Sequence, residues 1–209
     1  MNPAVLEWSA VVASILGVWL MARRHLLAWP VGLVSVGLYA LVFIEARLYS
    51  DTLLQVAFGA FLLYGWMNWR RTAAAEGGIR IAPLPLPRLL RDLGVGIAFG
   101  VLLGAAMHTW THAALPWLDA MLAALSLVAQ WWQARRHVAT WWLWIAVDVV
   151  YVGMYAVKSL HVTAALYVLF IGLAVTGLRA WTRAARADAA RLDAAHADAR
   201  RGNGRGAVR

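Results

Sequence analysis

One carboxylate, Asp148, stands inside the apolar run WWLWIAVDVVYVGMY, which extends from Trp141 to Tyr155. In a helix Trp141, Trp144, Asp148, Tyr151 and Tyr155 fall at i, i+3, i+7, i+10 and i+14 and so share one face. An acid among indoles and phenols can hold a flat cation: the carboxylate neutralises its charge, and the rings add cation–π contact worth about 0.5–2 kcal/mol. An ionisable group at bilayer depth costs a few kcal/mol or more, and by default it marks a pathway or a binding site. Two plainer roles compete. Asp148 could simply bond a neighbouring helix, and Trp141 and Trp142, which follow a basic loop, could be interfacial belt residues.

Other chemistry is sparse. His108 and His112 have the i, i+4 spacing of many zinc sites, but HTWTH falls in a short loop with only Asp119 near it, so no metal site is expected. The chain has no cysteine, which excludes thiol catalysis and Cys-ligated metal. No G-x-x-x-x-G-K-S/T loop occurs, so ATP does not drive the chain directly. An intramembrane enzyme is the alternative class, but no nucleophile, base or metal cluster accompanies the acid. The expectation is a non-enzyme without a cofactor.

The elements that must position Asp148 are membrane spans. The 209 residues are 63% hydrophobic and 14% charged, with a mean hydropathy of +0.65, which describes an integral membrane protein. Thirteen tryptophans suit rings enriched at the two membrane surfaces. Seven apolar runs, near 4–22, 27–46, 52–69, 91–110, 115–134, 139–157 and 162–181, are long enough to cross. The first lacks a basic n-region and reads as a retained helix rather than a signal peptide. The net charge of +9 resides mostly in short loops and the tail, a topology signal before a nucleic-acid one. Arg23 and Arg24, the group Arg70, Arg71, Arg80 and Arg88, the pair Arg135 and Arg136, and the Arg-rich tail fall on one side. Only Arg47 and Lys158 mark the other. The positive-inside rule then places the N-terminus outside and the C-terminus in the cytoplasm.

The connection TAAAEGGIRIAPLPLPR, from Thr72 to Arg88, is expected to be extended because of its three prolines. In the fourth run Gly96, Gly100 and Gly104 form a small-residue stripe for close helix packing, within the protein or between protomers. A homo-oligomer is therefore one expected partner arrangement. Beyond Trp181 an Ala-rich helical extension is expected to give way to glycine-rich disorder, with electrostatic contact to the lipid bilayer and no nucleic acid.

Displacing the chain by the 112 residues from Arg23 to Arg135 superposes RRHLLAW on RRHVATW, and the register holds in both directions. Matched pairs include Glu7 with Asp119, Ser14 with Ser126, Trp19 with Trp131, Trp29 with Trp141, Tyr39 with Tyr151, Gly65 with Gly177 and Trp69 with Trp181. The chain is a tandem duplication of three helices, and the lone fourth helix makes both copies run in the same direction. The expected fold is an all-α membrane protein of seven transmembrane helices, two parallel three-helix bundles joined by a linker helix. The expected divisions are 1–71 for the first bundle, 72–112 for the linker with helix four, 113–183 for the second bundle and 184–209 for the tail. Parallel repeats about an axis along the membrane normal are a transporter architecture with substrate near the midplane. The copies differ in polar equipment. Trp144, Asp148, Gln130 and Gln133 of the second copy stand where the first has Gly32, Val36, Val18 and Met21, whereas Gln55 of the first faces Tyr167 of the second. One asymmetric cavity accounts for this. Gln133 lies near the span end and has the weaker claim.

The stretch SVGLYALVFIEARLYSDTLLQVAFGAFLLYGWMNW, from Ser35 to Trp69, and the W-x-x-W-x-x-x-N/D pattern at Trp141, Trp144 and Asp148 resemble the PnuC family of bacterial nicotinamide riboside transporters, which share the 3-1-3 plan of SWEET-type carriers. The resemblance covers nearly the whole chain. It implies a multi-pass inner-membrane carrier that takes up a vitamin by facilitated diffusion, with a cytoplasmic kinase trapping the product. It also implies substrate-binding roles for Trp141, Trp144 and Asp148, for Gln55 in the family's L-L-Q segment and for Tyr64 in its Y-G-W segment. Tyr151 and Gln130 complete the expected set. Asp148 stands where better-known members have Asn, and related carriers serve thiamine, riboflavin or deoxynucleosides. A carboxylate favours the pyridinium of nicotinamide riboside first and the thiazolium of thiamine second, and gives neutral riboflavin no advantage. Proton coupling through Asp148 remains the alternative to simple facilitated diffusion.

Overall fold

The computed structural model describes residues 3–45, 49–110, 115–157 and 159–206. His112, Arg47, Lys158 and both chain ends fall outside them. Among the described residues the chain forms seven helices: α1 (Pro3–Ala22), α2 (Ala28–Glu45), α3 (Tyr49–Glu76), α4 (Leu86–Trp110), α5 (Pro116–Ala134), α6 (Ala139–Val157) and α7 (His161–Gly206). Five of them, α1, α2, α4, α6 and α7, are long and apolar enough by themselves to cross a membrane. The other two, α3 and α5, are comparably long but carry Gln55, Asn68, Ser126, Gln130 and Gln133. They pack against each other and so keep part of this polar surface away from lipid.

Six helices close a ring in the order α1, α2, α3, α5, α6, α7, with α7 returning to α1, and α4 touches α5 alone. The two joints between the copies, α3 on α5 and α7 on α1, are exchanged by the 112-residue repeat, so the ring has the pseudo-twofold symmetry of a duplicated three-helix unit. At the arginine-rich end four fully buried indoles sit around that axis: Trp29, Trp69, Trp141 and Trp181. Trp29 meets Trp69 edge-on at 5.2 Å and Trp141 meets Trp181 edge-on at 5.5 Å, and the two pairs join through Trp69 and Trp181 at 5.7 Å. Each pair needs a glycine. A Cβ on Gly65 would lie 2.1 Å from the Trp29 ring, and one on Gly177 would lie 2.5 Å from Trp141. The Trp69 Nε1–H donates to the Ala134 carbonyl at 3.2 Å and Trp181 Nε1–H to the Met21 carbonyl at 3.1 Å, so each copy hydrogen-bonds the other.

The helix ends repeat as well. After α1 the Arg24 N–H donates to Met21 O and the His25 N–H to Leu20 O, and after α5 Arg136 and His137 donate in the same way to Gln133 O and Trp132 O. These are Schellman turns, with Arg24 (φ 57°) and Arg136 (φ 67°) held left-handed where glycine is usual. Such a conformation costs a non-glycine residue about 1–2 kcal/mol. Both arginines bind the segment that joins the copies. The Arg24 guanidinium donates to Ile79 O at 3.3 Å, the Ala82 N–H donates to Arg136 O at 3.1 Å, and Arg136 pairs with Glu76 at 3.5 Å. The segment 77–85 is the expected extended connection, shorter than the sequence suggests. Its helix α3 runs on to Glu76 and stops at left-handed Gly77 (φ 68°). Pro87 falls in the first turn of α4, where a missing N–H costs nothing. Ile79 and Ile81 of this strap pack on the tryptophan cluster.

The glycine stripe of α4 lies buried against α5 within the protein. A Cβ on Gly96 would come within 2.5 Å of Val128, on Gly100 within 3.0 Å of Met121, and on Gly104 within 2.7 Å of Trp117. Asp92 fastens the arginine-rich end of this contact, accepting from Trp132 Nε1 at 3.1 Å and pairing with Arg91 at 2.8 Å. Beyond the bilayer run α7 continues as the expected helical extension, with helical geometry through Gly206.

Candidate functional site

The ring of six helices encloses a cavity of about 410 Å³, within the range of small-molecule sites. All six contribute and α4 does not. Trp141, Trp144, Asp148, Tyr151, Gln55 and Gln130, expected from sequence as a binding set, all line it. Tyr64 does not. Its ring stacks at 5.3 Å on Trp131, in the joint between α3 and α5, and the Y-G-W segment thereby serves the contact between copies. Of the belt candidates only Trp142 is exposed, while Trp141 is buried in the tryptophan cluster and forms the cavity floor.

The helical period explains how α6 builds its wall. Residues three or four apart turn the same side inward, so Trp141, Trp144, Asp148, Tyr151 and Tyr155 run along the cavity from the floor toward the opposite end. Asp148 is buried, and among the described residues no Lys, Arg or His shares the lining and no ion pair reaches the acid. A buried carboxylate without a protein cation is electrostatically incomplete, which is the condition a cationic ligand relieves. Above it Tyr151, Tyr155 and Tyr167 form a tyrosine cluster, with Tyr151 to Tyr167 at 4.7 Å and Tyr155 to Tyr167 at 5.3 Å. Phe170 meets Tyr167 edge-on at 5.9 Å.

Amide groups supply the hydrogen bonding. Gln133, given the weaker claim from sequence, accepts a bond from Trp144 Nε1 at 2.8 Å, which fixes the indole and commits the amide oxygen. Gln130 is buried and its Nε2 has no partner among the described residues, as is also true of Trp141 Nε1. Trp29 Nε1, the repeat mate of Trp141 Nε1, is likewise buried without a partner among the described residues, although Trp29 does not line the cavity. Opposite Trp144 the repeat-related residue is Gly32, whose Cβ would touch Leu62 at 3.1 Å. One copy supplies an indole where the other supplies none, and the Leu62 side chain fills the space beside Gly32. Sequence reading left Tyr155, Tyr167, Gln133 and the small polar lining residues Ser14, Ser35 and Ser126 out of its set. The first lies on the α6 stripe, and Tyr167 was marked by standing opposite Gln55.

No group of three or more metal-ligating side chains occurs among the described residues. His108 lies in the last turn of α4 rather than in a loop and packs beside Trp117 at 6.2 Å, while His112, four residues on, is not among the described residues.

The family model for the nicotinamide mononucleotide transporter matches residues 4–183. The chain belongs to this transporter family. Among relatives, the nicotinamide riboside transporter PnuC of Escherichia coli (strain K12) is 28% identical, over 87% of each chain. The riboflavin/roseoflavin transporter RibM of Streptomyces davaonensis is 30% identical, again over 87% of each. A crystal structure of the vitamin B3 transporter PnuC superposes with a TM-score of 0.72 at 25% identity, covering 88% of this chain and 84% of that one. The ring of duplicated helices is thus a PnuC-type carrier fold, and the protein is a multi-pass membrane vitamin transporter rather than an enzyme.

Proposed function

We propose that this PnuC-family carrier binds nicotinamide riboside in the enclosed cavity, with Asp148 as the counter-ion of the pyridinium and Trp144 as its stacking face. The single observation that carries the reading is the charge pattern: one buried carboxylate and no basic side chain in a lining otherwise aromatic and amide. Gln55 and Gln130 take the ribose or carboxamide, and Trp141 closes the floor. The same pattern opposes a phosphorylated ligand. A mononucleotide brings a dianion into a cavity with no Arg or Lys to meet it and an acid to repel it. Discrimination against the phosphate suits facilitated diffusion followed by cytoplasmic phosphorylation, which keeps the product from leaving. The loop arginines support an external N-terminus and a cytoplasmic C-terminus in the inner membrane, with the strap and tryptophan cluster on the kinase side.

A second reading has its own support in the RibM relative, whose 30% identity is similar to the 28% of the Escherichia coli PnuC. Riboflavin is flat and would stack on Trp144, but it is neutral and leaves Asp148 uncompensated. Quenching of tryptophan fluorescence in the purified carrier, titrated with nicotinamide riboside, thiamine, riboflavin and nicotinamide mononucleotide, separates the readings. The cationic nucleoside should bind most tightly and the mononucleotide at least tenfold more weakly. Tighter binding of riboflavin or of the mononucleotide would overturn the assignment.

A further inference from the structure

We propose that the strap 77–85 is a latch: it ties the two copies together at the arginine-rich end, and it must leave the turn after α1 each time the cavity opens there. Carriers built from repeats work by rocking one bundle against the other around a fixed site. Whatever holds both bundles at one end therefore decides whether that end can open. The strap holds both. Ile79 O accepts from the Arg24 guanidinium at 3.3 Å, in the turn after α1, and the Ala82 N–H donates to Arg136 O at 3.1 Å, in the turn after α5. Arg24 and Arg136 are repeat mates, so these turns stand on opposite sides of the pseudo-twofold axis and the strap crosses it. From Ile79 to Ala82 an extended chain reaches at most about 11 Å. With both grips made, this short span fixes the separation of the turns. The strap also underlies the cavity floor. Ile79 and Ile81 pack on the tryptophan cluster that includes Trp141, while Arg80 between them is exposed, so the extended chain turns its apolar side to the indoles.

The grips are unequal, and the inequality says which one releases. On the second copy Ala82 is held twice, because His137 Nδ1 donates to Ala82 O at 3.0 Å besides the bond to Arg136. The Ile81 N–H adds a bond to Asp188 Oδ2 at 3.4 Å, on the extension of α7. The first copy does not repeat these holds: His25, the mate of His137, uses its Nδ1 to accept from the Leu27 N–H at 3.2 Å within its own turn. Its ties are one bond at the end of the long Arg24 side chain and the 3.5 Å pair between Glu76 of α3 and Arg136, and a partly exposed pair of that length contributes little. The strap therefore stays on the second copy and parts from the first. It can do so because it leaves α3 through Gly77 (φ 68°) and Gly78, each with open space around it, which together form the pivot.

The chain has no cysteine, so a single pair can be bridged cleanly. Arg24→Cys with Arg80→Cys, joined by a reducible bis-methanethiosulfonate reagent with a spacer as long as an arginine side chain, makes the breakable grip covalent. The latch rests on the carrier fold and not on the identity of the ligand, so flux is followed with whichever of nicotinamide riboside and riboflavin the wild-type carrier binds. In proteoliposomes the bridged carrier should pass ligand at least tenfold more slowly than the same protein after reduction, while affinity in detergent stays within about threefold. Undiminished flux with the bridge made would overturn the proposal. So would failure of the bridge to form, or a loss of affinity as large as the loss of flux. Arg24→Gly tests the release itself, since glycine suits the left-handed turn and removes only the grip. Added to Ile79→Cys, it should leave the thermal melt unchanged or raised and let a water-soluble maleimide reach that cysteine at least threefold faster. An equal labelling rate would show that Arg24 holds no latch.

Discussion

Substituting Gly177 by Ala asks whether the tryptophan floor belongs to the binding site. The added Cβ would lie 2.5 Å from the Trp141 ring, well inside the ordinary contact distance of 3.4–4 Å. The ring must retreat by about 1 Å to recover that distance. Behind it stands Trp181, edge-on at 5.5 Å, so the space open to the indole is the cavity itself. Overpacking of this kind costs about 1–3 kcal/mol of stability, including part of the edge-on aromatic contact, itself about 0.5–1.5 kcal/mol. The duplication supplies the control. A Cβ on Gly65 would lie 2.1 Å from Trp29, an overlap at least as severe, but Trp29 does not line the cavity. Thermal melts of the two purified variants should fall by similar amounts. Titration with nicotinamide riboside should show about a tenfold loss of affinity for Gly177→Ala, about 1.4 kcal/mol, and less than a threefold loss for Gly65→Ala. Wild-type affinity in Gly177→Ala, or an equal loss in both, would refute a floor formed by Trp141.

Gln133→Met reproduces the first copy's residue and removes the acceptor from Trp144 Nε1; about 1 kcal/mol of affinity should be lost, and a loss no greater in the Trp144→Phe, Gln133→Met double variant than in Trp144→Phe alone would show that Gln133 acts through the indole. His137, in the loop after α5, gives its Nδ1 proton to Ala82 O at 3.0 Å and has an unpartnered buried Nε2. Burial, ahead of the neighbouring Arg135 and Arg88 charges, holds its pKa below the usual 6.5 despite the bond to Ala82. Only the unfolded chain then gains the proton as pH falls below 6.5, so stability present above that pH should decline beneath it, and hydrogen exchange of the Ala82 amide should quicken. His137→Gln should flatten this dependence; an unchanged profile would remove the histidine from the account. Reporter fusions at Met1 and Arg209 should place the first outside and the second in the cytoplasm, and activity of a cytoplasm-only reporter at Met1 would contradict the proposed orientation.

The architecture was legible because two periodicities survive in the sequence. Apolar runs of spanning length marked the helices, and the match of RRHLLAW with RRHVATW marked the duplication, from which the parallel arrangement follows. The cavity wall on α6 was legible for the same reason, as Asp148 interrupts a run in which no other charge occurs. What could not be read was packing that depends on partners far along the chain. Tyr64 and Gln55 lie on the same helix and both looked like site residues, yet Tyr64 finds Trp131 across the α3–α5 joint and Gln55 finds the cavity. Gln133 looked merely wet at a span end, and its role as partner of Trp144 required α5 and α6 to be placed side by side. The strap from Gly77 to Pro85 was legible only as an extended connection. The arginine turns that grip it became visible only with the backbone angles at Arg24 and Arg136.

The central claim is that the lone buried acid holds a cation, and calorimetric titration of nicotinamide riboside into wild-type and Asp148→Asn carriers tests it most directly. Asn keeps the size and the hydrogen-bonding capacity and removes only the charge. A unit charge pair within the cavity contributes on the order of 1–3 kcal/mol after desolvation, so affinity for the cationic nucleoside should fall about tenfold or more while that for neutral riboflavin holds or improves. Equal affinity of the two carriers for nicotinamide riboside would contradict the account.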